Sequence, residues 1–151
     1  MLPTSNLIGI SLEADPSASL VGCGLLLLRV VTGLMIFYVH GWHKLLGGIA
    51  YFKNGAPWEL RDAVAGMHAP APTFSALAAT AVQFVCSLLL VVGLLTRIDA
   101  VLLAGALAGA VAQNLMAKRS PQLATLYLLN VVTLAIMGPG QLSLDAKLFG
   151  P

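Results

Sequence analysis

The chain has 151 residues, of which 58% are hydrophobic and 9% are charged, and its mean hydropathy is +0.90. Soluble domains carry about 25% charged residues, so this composition excludes a soluble fold of this size. The net charge of +2 is too small to indicate a nucleic-acid partner. Composition instead predicts a membrane protein whose first partner is the lipid bilayer.

In chain order, residues 1–17 form a polar tail, and the first apolar run covers about 18–46. The pair Gly47-Gly48 is expected to end this first span. Residues 49–71 are too polar to cross a bilayer, so a short helix after Pro57 is expected at the interface, where Trp58 is typical. Residues 148–151 form a second short tail.

Three further spans are predicted at about 73–95, 100–116 and 122–137, with turns around Arg97 to Asp99 and at 118–121. Gly138-Pro139-Gly140 ends the last span. Because a backbone in lipid must satisfy its own hydrogen bonds, these segments are expected to be helices. The predicted fold is an all-α, integral membrane four-helix bundle, with residues 18–147 as a single domain.

The third span contains Gly105 and Gly109 in a GxxxG pattern. Small residues at this spacing allow two helices in a membrane to approach closely. The pattern is typical of a homo-oligomer face and also of packing inside one bundle. Packing inside the bundle is the favoured interpretation.

Arg29 lies deep inside the first span. A cation near a helix centre costs about 2.5–3.5 kcal/mol on insertion scales, so it needs a partner within the protein. No span contains an unambiguous central carboxylate. The acceptors left open are amide and hydroxyl oxygens, backbone carbonyls, the carboxylates of Glu13, Asp15 or Asp99, water, and an oxygen of a ligand.

One face of the first span collects most of its ionisable groups. At about 100° per residue, Arg29, His40, His43 and Lys44 fall within one stripe, which predicts an inward polar face. Amides on other spans are possible partners. The candidate ligand-binding residues are Arg29, His40, His43, Lys44, Gln83, Gln113 and Asn114.

No catalytic residue is assigned, and no metal site is predicted. His40 and His43 are spaced at i and i+3, but a zinc site needs at least three protein ligands and His68 is the only other histidine. Cys23 and Cys86 form no CxxC pair and are expected to pack as small apolar residues. No intrinsic cofactor is expected, because the sequence lacks a flavin, nucleotide, haem or dithiol motif.

Several short motifs, in order, resemble the DoxX family of small bacterial membrane proteins over roughly residues 20–147. The matching pieces are Arg29, Gly33, Phe37, His40-Gly41, Lys44-Leu45, Pro70-Ala71-Pro72, Gly93-Leu94-Leu95-Thr96-Arg97, Gly138-Pro139-Gly140 and Ser143-Leu144-Asp145. The resemblance implies a four-helix membrane bundle linked to redox chemistry, because the related DoxD type is a subunit of a thiosulfate:quinone oxidoreductase. Other relatives are associated with oxidative-stress partners. One departure is Gln83, where relatives often carry a glutamate, and another is Cys86-Ser87, where they often have a small glycine.

Two functional hypotheses follow. The first is a redox-linked subunit of the bacterial inner membrane that binds a quinone at the polar face of the first span. Its candidate partners are a redox protein or a second copy of the chain. If the chain is catalytic, it is part of a membrane oxidoreductase. The alternative is a non-catalytic anchor, assembly partner or small-solute passage protein. The positive-inside rule places both termini outside the cytoplasm, because the odd-numbered loops hold five cations, Lys44, Lys53, Arg61, Lys118 and Arg119, against Arg97 and Lys147.

Overall fold

The computed structural model describes residues 16–149, with side chains from 20 to 148, and this part of the chain is helical with no strand. The elements are α1 (Pro16–Ile36), a π-helical segment (Phe37–Trp42), α2 (His43–Asn54), α3 (Glu59–Gly66), α4 (Pro72–Val92), α5 (Thr96–Met116), α6 (Gln122–Met137) and α7 (Leu144–Phe149). Nearly all of the predicted tail 1–17 lies outside the described residues. The predicted domain end at 147 falls inside α7.

Three helical stretches are long and apolar enough to cross a membrane: Leu20–Asn54, Pro72–Val92 and Thr96–Met116. The apolar helix α6 is shorter, with 16 residues, and begins and ends where the sequence predicts. Helix α4 packs between α1 and α5, and α6 packs mainly on α5. The buried side chains of Leu90, Leu103, Leu107, Val131 and Leu134 fill the centre. The all-α prediction is confirmed, and the long apolar helices are compatible with a membrane bundle.

The prediction that Gly47-Gly48 ends the first helix is wrong. Helical structure runs without a break from α1 through the π-helical segment to Asn54, and Gly55 caps it in a left-handed conformation with φ of 64°. The two glycines instead leave a helix surface without side chains, and the Trp58 ring packs against it. A Cβ at Gly47 or at Gly48 would come within 3.1 Å of the indole. Glycine there allows close packing and does not break the helix.

The π-helical segment changes which face of the first helix is buried. In α1 the buried positions follow the α-helical period and include Leu25, Arg29 and Ile36. The next buried position is Gly41, five residues after Ile36, because a π turn holds an extra residue. A regular α-helix would have placed His40 there. The inward stripe predicted for Arg29, His40 and His43 is therefore interrupted.

Two glycines allow the first helix to lie against α4. A Cβ at Gly33 would stand 2.8 Å from the backbone oxygen of Ser87, and one at Gly41 would stand 3.3 Å from that of Gln83. Both contacts are with backbone, which cannot move aside as a flexible side chain can. This close approach brings Lys44 and Gln83 within reach of each other.

The turn between the second and third apolar helices lies earlier than predicted. It is formed by Gly93 and Leu95, with φ of 79° and 53°, while Arg97 and the buried Asp99 belong to the first turn of α5. Gly138, with φ of 83°, ends α6 as predicted. Residues 138–149, here called the C-terminal cover, then fold back over this end of the bundle, and a Cβ at Gly140 would stand 3.3 Å from the Leu25 side chain.

The favoured interpretation of the GxxxG pattern is wrong. A Cβ added at Gly105 or Gly109 would meet nothing within 4 Å in the described residues. Gly105 is exposed, so this face of α5 does not pack inside the bundle.

Candidate functional site

Arg29 is held at the end of the bundle that carries the C-terminal cover. Its side chain is only 1% exposed. One guanidinium nitrogen donates to the backbone oxygen of Pro139 at 2.6 Å, and the other terminal nitrogen donates to that of Leu142 at 3.0 Å. Of the acceptors that the sequence left open, the structure provides backbone carbonyls. Asp99 makes no ion pair with Arg29 within 4.0 Å.

Asp145 completes this structure by capping a neighbouring helix. Its carboxylate accepts hydrogen bonds from the backbone N–H of Leu95 at 2.7 Å and of Thr96 at 2.8 Å, at the N-terminus of α5. Its own N–H donates to the backbone oxygen of Gly93 at 3.0 Å. Gly93 also leaves room for Arg29, since a Cβ there would stand 2.6 Å from the guanidinium carbon.

The electrostatics agree with this capping role. Partial burial acts to raise the pKa of Asp145, but the two backbone N–H groups and the charge of Arg29 outweigh it and hold the pKa below its ordinary value. Arg29, Gly93, Pro139, Leu142 and Asp145, together called the Arg29 cluster, tie three segments of the chain together. Both terminal nitrogens of Arg29 and both carboxylate oxygens of Asp145 form hydrogen bonds within the protein.

The second polar group lies at the opposite end of the first helix. Lys44 donates to the side-chain oxygen of Gln83 at 2.9 Å. Among the described residues the only ion pair within 4.0 Å is Arg61 with Asp62, so no carboxylate neutralises Lys44. Gln83 is 0% exposed, and its amide nitrogen has no hydrogen-bond partner in the described part of the chain.

His40 and Tyr127 lie beside this pair. Their rings meet edge to face, with centroids 5.7 Å apart and an angle of 89°. The Nε2 atom of His40 is buried and has no partner among residues 16–149. His40, Lys44, Gln83 and Tyr127 are called the Lys44 cluster. It contains two buried nitrogens without a partner in the described residues, whereas the Arg29 cluster contains one, Nε of Arg29.

A cavity of about 260 Å³, called the inner cavity, opens beside the cluster. It is lined by His43, Lys44, Gly47, Trp58, Glu59, Leu60 and Gln113. A larger outer cavity of about 520 Å³ shares Glu59 and Gln113 with it and is also lined by Asp62, Asn114 and Arg119. Glu59 and Gln113 therefore border both cavities.

The structure thus brings most of the predicted site residues to one end of the bundle and leaves one apart. His43, Lys44 and Gln113 line the inner cavity, and Asn114 lines the outer one. Gln83 joins them through Lys44, and His40 lies against Tyr127. Arg29 lies in the other cluster. Ligand binding by these residues stays a prediction.

Sequence reasoning missed two residues of this site. Trp58 is 3% exposed and Glu59 begins α3, and both line the inner cavity. Trp58 was expected at the membrane interface because of its type. The pair Gly47-Gly48 inside an apolar run could have indicated the position of Trp58. Two adjacent glycines on a helix leave room for an aromatic ring to pack against the backbone.

The chemistry of the second site follows from its donors. An ammonium group, an imidazole nitrogen and an amide group lie together in a largely apolar surrounding, where a buried hydrogen-bonding group without a partner is costly. Such a set suits a ligand with carbonyl or other uncharged oxygen acceptors on an apolar body. Glu59 adds one carboxylate at the mouth of the inner cavity.

Comparison with known proteins agrees with the architecture. The family model of DoxX matches residues 24–117, which include both long helices that form the Lys44–Gln83 contact. No curated protein and no solved structure matches the chain. The matched segment covers more than half of the chain, and the chain therefore belongs to the DoxX family.

Proposed function

We propose that this chain is a multi-pass protein of the bacterial inner membrane that binds the headgroup of a quinone-like ligand at the Lys44 cluster, as a redox-linked subunit. The observation that carries the proposal is the Lys44 ammonium group, which lies inside the bundle with only the uncharged oxygen of Gln83 as partner. A glutamate at position 83 would neutralise it. With glutamine there, the positive charge remains available to a ligand oxygen.

A quinone fits this arrangement because it carries carbonyl acceptors on opposite sides of an apolar ring. The proposed acceptor contacts are with the ammonium group of Lys44 and the amide nitrogen of Gln83, which has no partner among the described residues. His40 and Tyr127 supply aromatic surface for the ring. The sequence carries no motif for a redox group of its own, so electrons would pass between the quinone and a redox protein partner.

The proposed membrane arrangement has four crossings, with α6 as the fourth and α3 at the interface. The loop end near α3 carries Lys53, Arg61, Lys118 and Arg119, whereas the other end carries Arg97 and Lys147. Lys44 no longer counts, because it lies in a helix and contacts Gln83. Because four cations lie at one end and two at the other, we expect both termini outside the cytoplasm.

Single cysteines would test this orientation. In a chain with Cys23 and Cys86 replaced by alanine, Leu148→Cys is expected to react with an impermeant maleimide in intact cells, and Asn54→Cys only after lysis. Both positions are exposed in the structure. The reverse pattern would overturn the orientation, and equal protection of the two sites would overturn the four crossings.

The binding proposal is tested with a soluble quinone analogue and purified protein in lipid nanodiscs. Lys44→Met is expected to weaken binding by about 1.5–3 kcal/mol, the usual contribution of a hydrogen bond to a charged group. Lys118→Met is the matched control, because Lys118 lies at the same end of the bundle, is exposed and lines neither the inner nor the outer cavity. Saturable binding that is equal in the two variants would remove Lys44 from the site. An absence of saturable binding by the unsubstituted protein would favour the non-catalytic anchor.

A further inference from the structure

Trp58 lies between two cavities of different character. Its ring rests on Gly47 and Gly48, where a Cβ would stand 3.1 Å from Cδ1 in the first case and 3.1 Å from Cζ2 in the second. Gly47 lines the polar inner cavity, and Gly48 lines a separate groove. The pyrrole edge of the indole is therefore on the side of the inner cavity, and the benzene edge is on the side of the groove.

The groove is about 260 Å³ and almost wholly apolar. Its lining residues are Leu45, Gly48, Ile49, Phe52, Lys53, Trp58, Leu77 and Thr80. Ile49, Phe52 and Leu77 are 42–62% exposed on the outside of the bundle. In a membrane, this surface faces lipid, so the groove opens toward hydrocarbon and not toward water.

The indole N–H adds a polar feature to this boundary. Trp58 is 3% exposed, and its Nε1 atom has no hydrogen-bond partner among the described residues. Buried tryptophan N–H groups usually find a partner. The nitrogen lies 3.3 Å from where a Cβ of Gly47 would be, which places it at the edge of the inner cavity. It is a donor available to a ligand there.

We infer that the ligand of this site has a long hydrocarbon tail, that the tail lies in the groove, and that the ligand enters sideways from the bilayer past Trp58. The indole N–H then donates to an acceptor oxygen of the headgroup, so Trp58 is a ligand-binding residue. This inference rests on the proposed function and specifies the ligand as a prenylated or alkylated quinone. The main support is that the buried ring of Trp58 lines both the apolar groove and the polar inner cavity.

The test compares two analogues that share a methoxy-substituted benzoquinone ring, one without a side chain and one with a decyl chain. Binding is measured in nanodiscs for the unsubstituted protein, for Leu77→Trp, which fills the groove, and for Leu102→Trp. Leu102 is the matched control, because it is exposed to the same degree, 46% against 47%, and does not line the groove. The decyl chain also concentrates the ligand in the bilayer, so the ratio of the two affinities is compared between variants.

Burial of about two methylene groups corresponds to a gain of about tenfold in affinity. Leu77→Trp is expected to weaken binding of the decyl analogue by about this factor. Its affinity for the tailless analogue should stay within about twofold of that of the unsubstituted protein. Leu102→Trp should keep the same ratio of decyl to tailless affinity as the unsubstituted protein. Trp58→Phe keeps an aromatic ring but loses the N–H, and it is expected to weaken both analogues by about fivefold or more.

The outcomes separate the two proposals. If the tailless ring binds through Lys44 but Leu77→Trp leaves the affinity ratio unchanged, the groove does not hold the tail and this inference fails alone. If neither analogue binds, the proposed function fails with it. Phospholipid chains are the competing occupant, with Lys53 near the headgroup. The affinity of the decyl analogue relative to the tailless one is therefore measured in two kinds of disc. If this preference disappears in discs that contain phosphatidylglycerol but not in phosphatidylcholine discs, the groove belongs to phospholipid and the inference is overturned.

Discussion

The two ends of the first helix bury cations in opposite ways. Arg29 donates to two backbone oxygens, and Asp145 lies close enough for the charges to interact. Lys44 has one amide oxygen, and two buried nitrogens nearby have no partner in the described residues. Nε of Arg29 also lacks a partner in the described residues, but two hydrogen bonds to distant segments and a nearby carboxylate tie this cation into the fold. Lys44 has a single partner and lies beside a cavity, so it is suited to a ligand. The comparison of Arg29 with Lys44 shows that burial of a charge does not by itself mark a binding site.

The largest expected effect breaks the Arg29 end. Arg29→Leu should lower the free energy of unfolding by about 3–5 kcal/mol, because it removes two hydrogen bonds from a charged group, each worth about 1.5–3 kcal/mol, and releases the C-terminal cover. Unfolding in detergent, followed by circular dichroism, measures this. Arg97→Leu, at an exposed cation on the same end, should change it by less than about 0.5 kcal/mol. Equal stability of the two variants would show that Arg29 is merely tolerated.

A substitution that leaves every charge in place sharpens the same point. Gly93→Ala should cost about 2–3 kcal/mol, because its φ of 79° strains alanine and its Cβ would collide with the Arg29 guanidinium. Gly55→Ala is the matched control. Its φ is 64°, but nothing lies within 4 Å, so it should cost only about 1 kcal/mol. If Gly93→Ala and Gly55→Ala lower the free energy of unfolding by similar amounts, the close contact of Gly93 with Arg29 contributes little to stability.

At the Lys44 end, a single change should make the second cluster resemble the first. Gln83→Glu provides a carboxylate for Lys44 and removes a donor amide, so quinone-analogue affinity is expected to fall about tenfold, or about 1.4 kcal/mol. Unfolding stability should not fall. Gln141→Glu, an exposed change on the far side, is the control. Unchanged affinity in Gln83→Glu would argue that the ligand does not use Lys44.

The smallest effect concerns the helix cap at the Arg29 end. Asp145→Asn should lower the free energy of unfolding by about 1 kcal/mol, because the amide keeps one acceptor oxygen, loses the other and loses the charge. Asp62→Asn, at an exposed carboxylate, should cost less.

The pH dependence of this cap has a definite sign. The pKa of Asp145 in the folded protein lies below the ordinary aspartate value of about 3.9, so its contribution to stability is fully present above about pH 4 and is lost as the pH falls through the folded pKa. The difference between wild type and Asp145→Asn should therefore narrow below about pH 4. A difference that stays constant from neutral pH to about pH 3 would contradict a role for the ionised carboxylate.

Composition and local chain chemistry were enough to predict several features of the fold. Few charged residues and long apolar runs require helices in lipid, and the bounds of α6 follow from the proline and glycine residues on either side of it. The need of Arg29 for a buried partner was also predictable, because an unpaired cation in a bundle is too costly. The motifs around it indicated the DoxX family, which the family model confirms.

The contacts that these residues make could be learned only from the three-dimensional arrangement of the helices. Gly47-Gly48 looks like a helix end, but the ring of Trp58 packs on it and the helix continues to Asn54. Gly105 and Gly109 look like an internal contact but meet no neighbour in the described chain. The partners of Arg29 are backbone oxygens more than 100 residues away, which no local pattern specifies. Such contacts depend on how helices approach in space, and one π turn is enough to change which residues face inward.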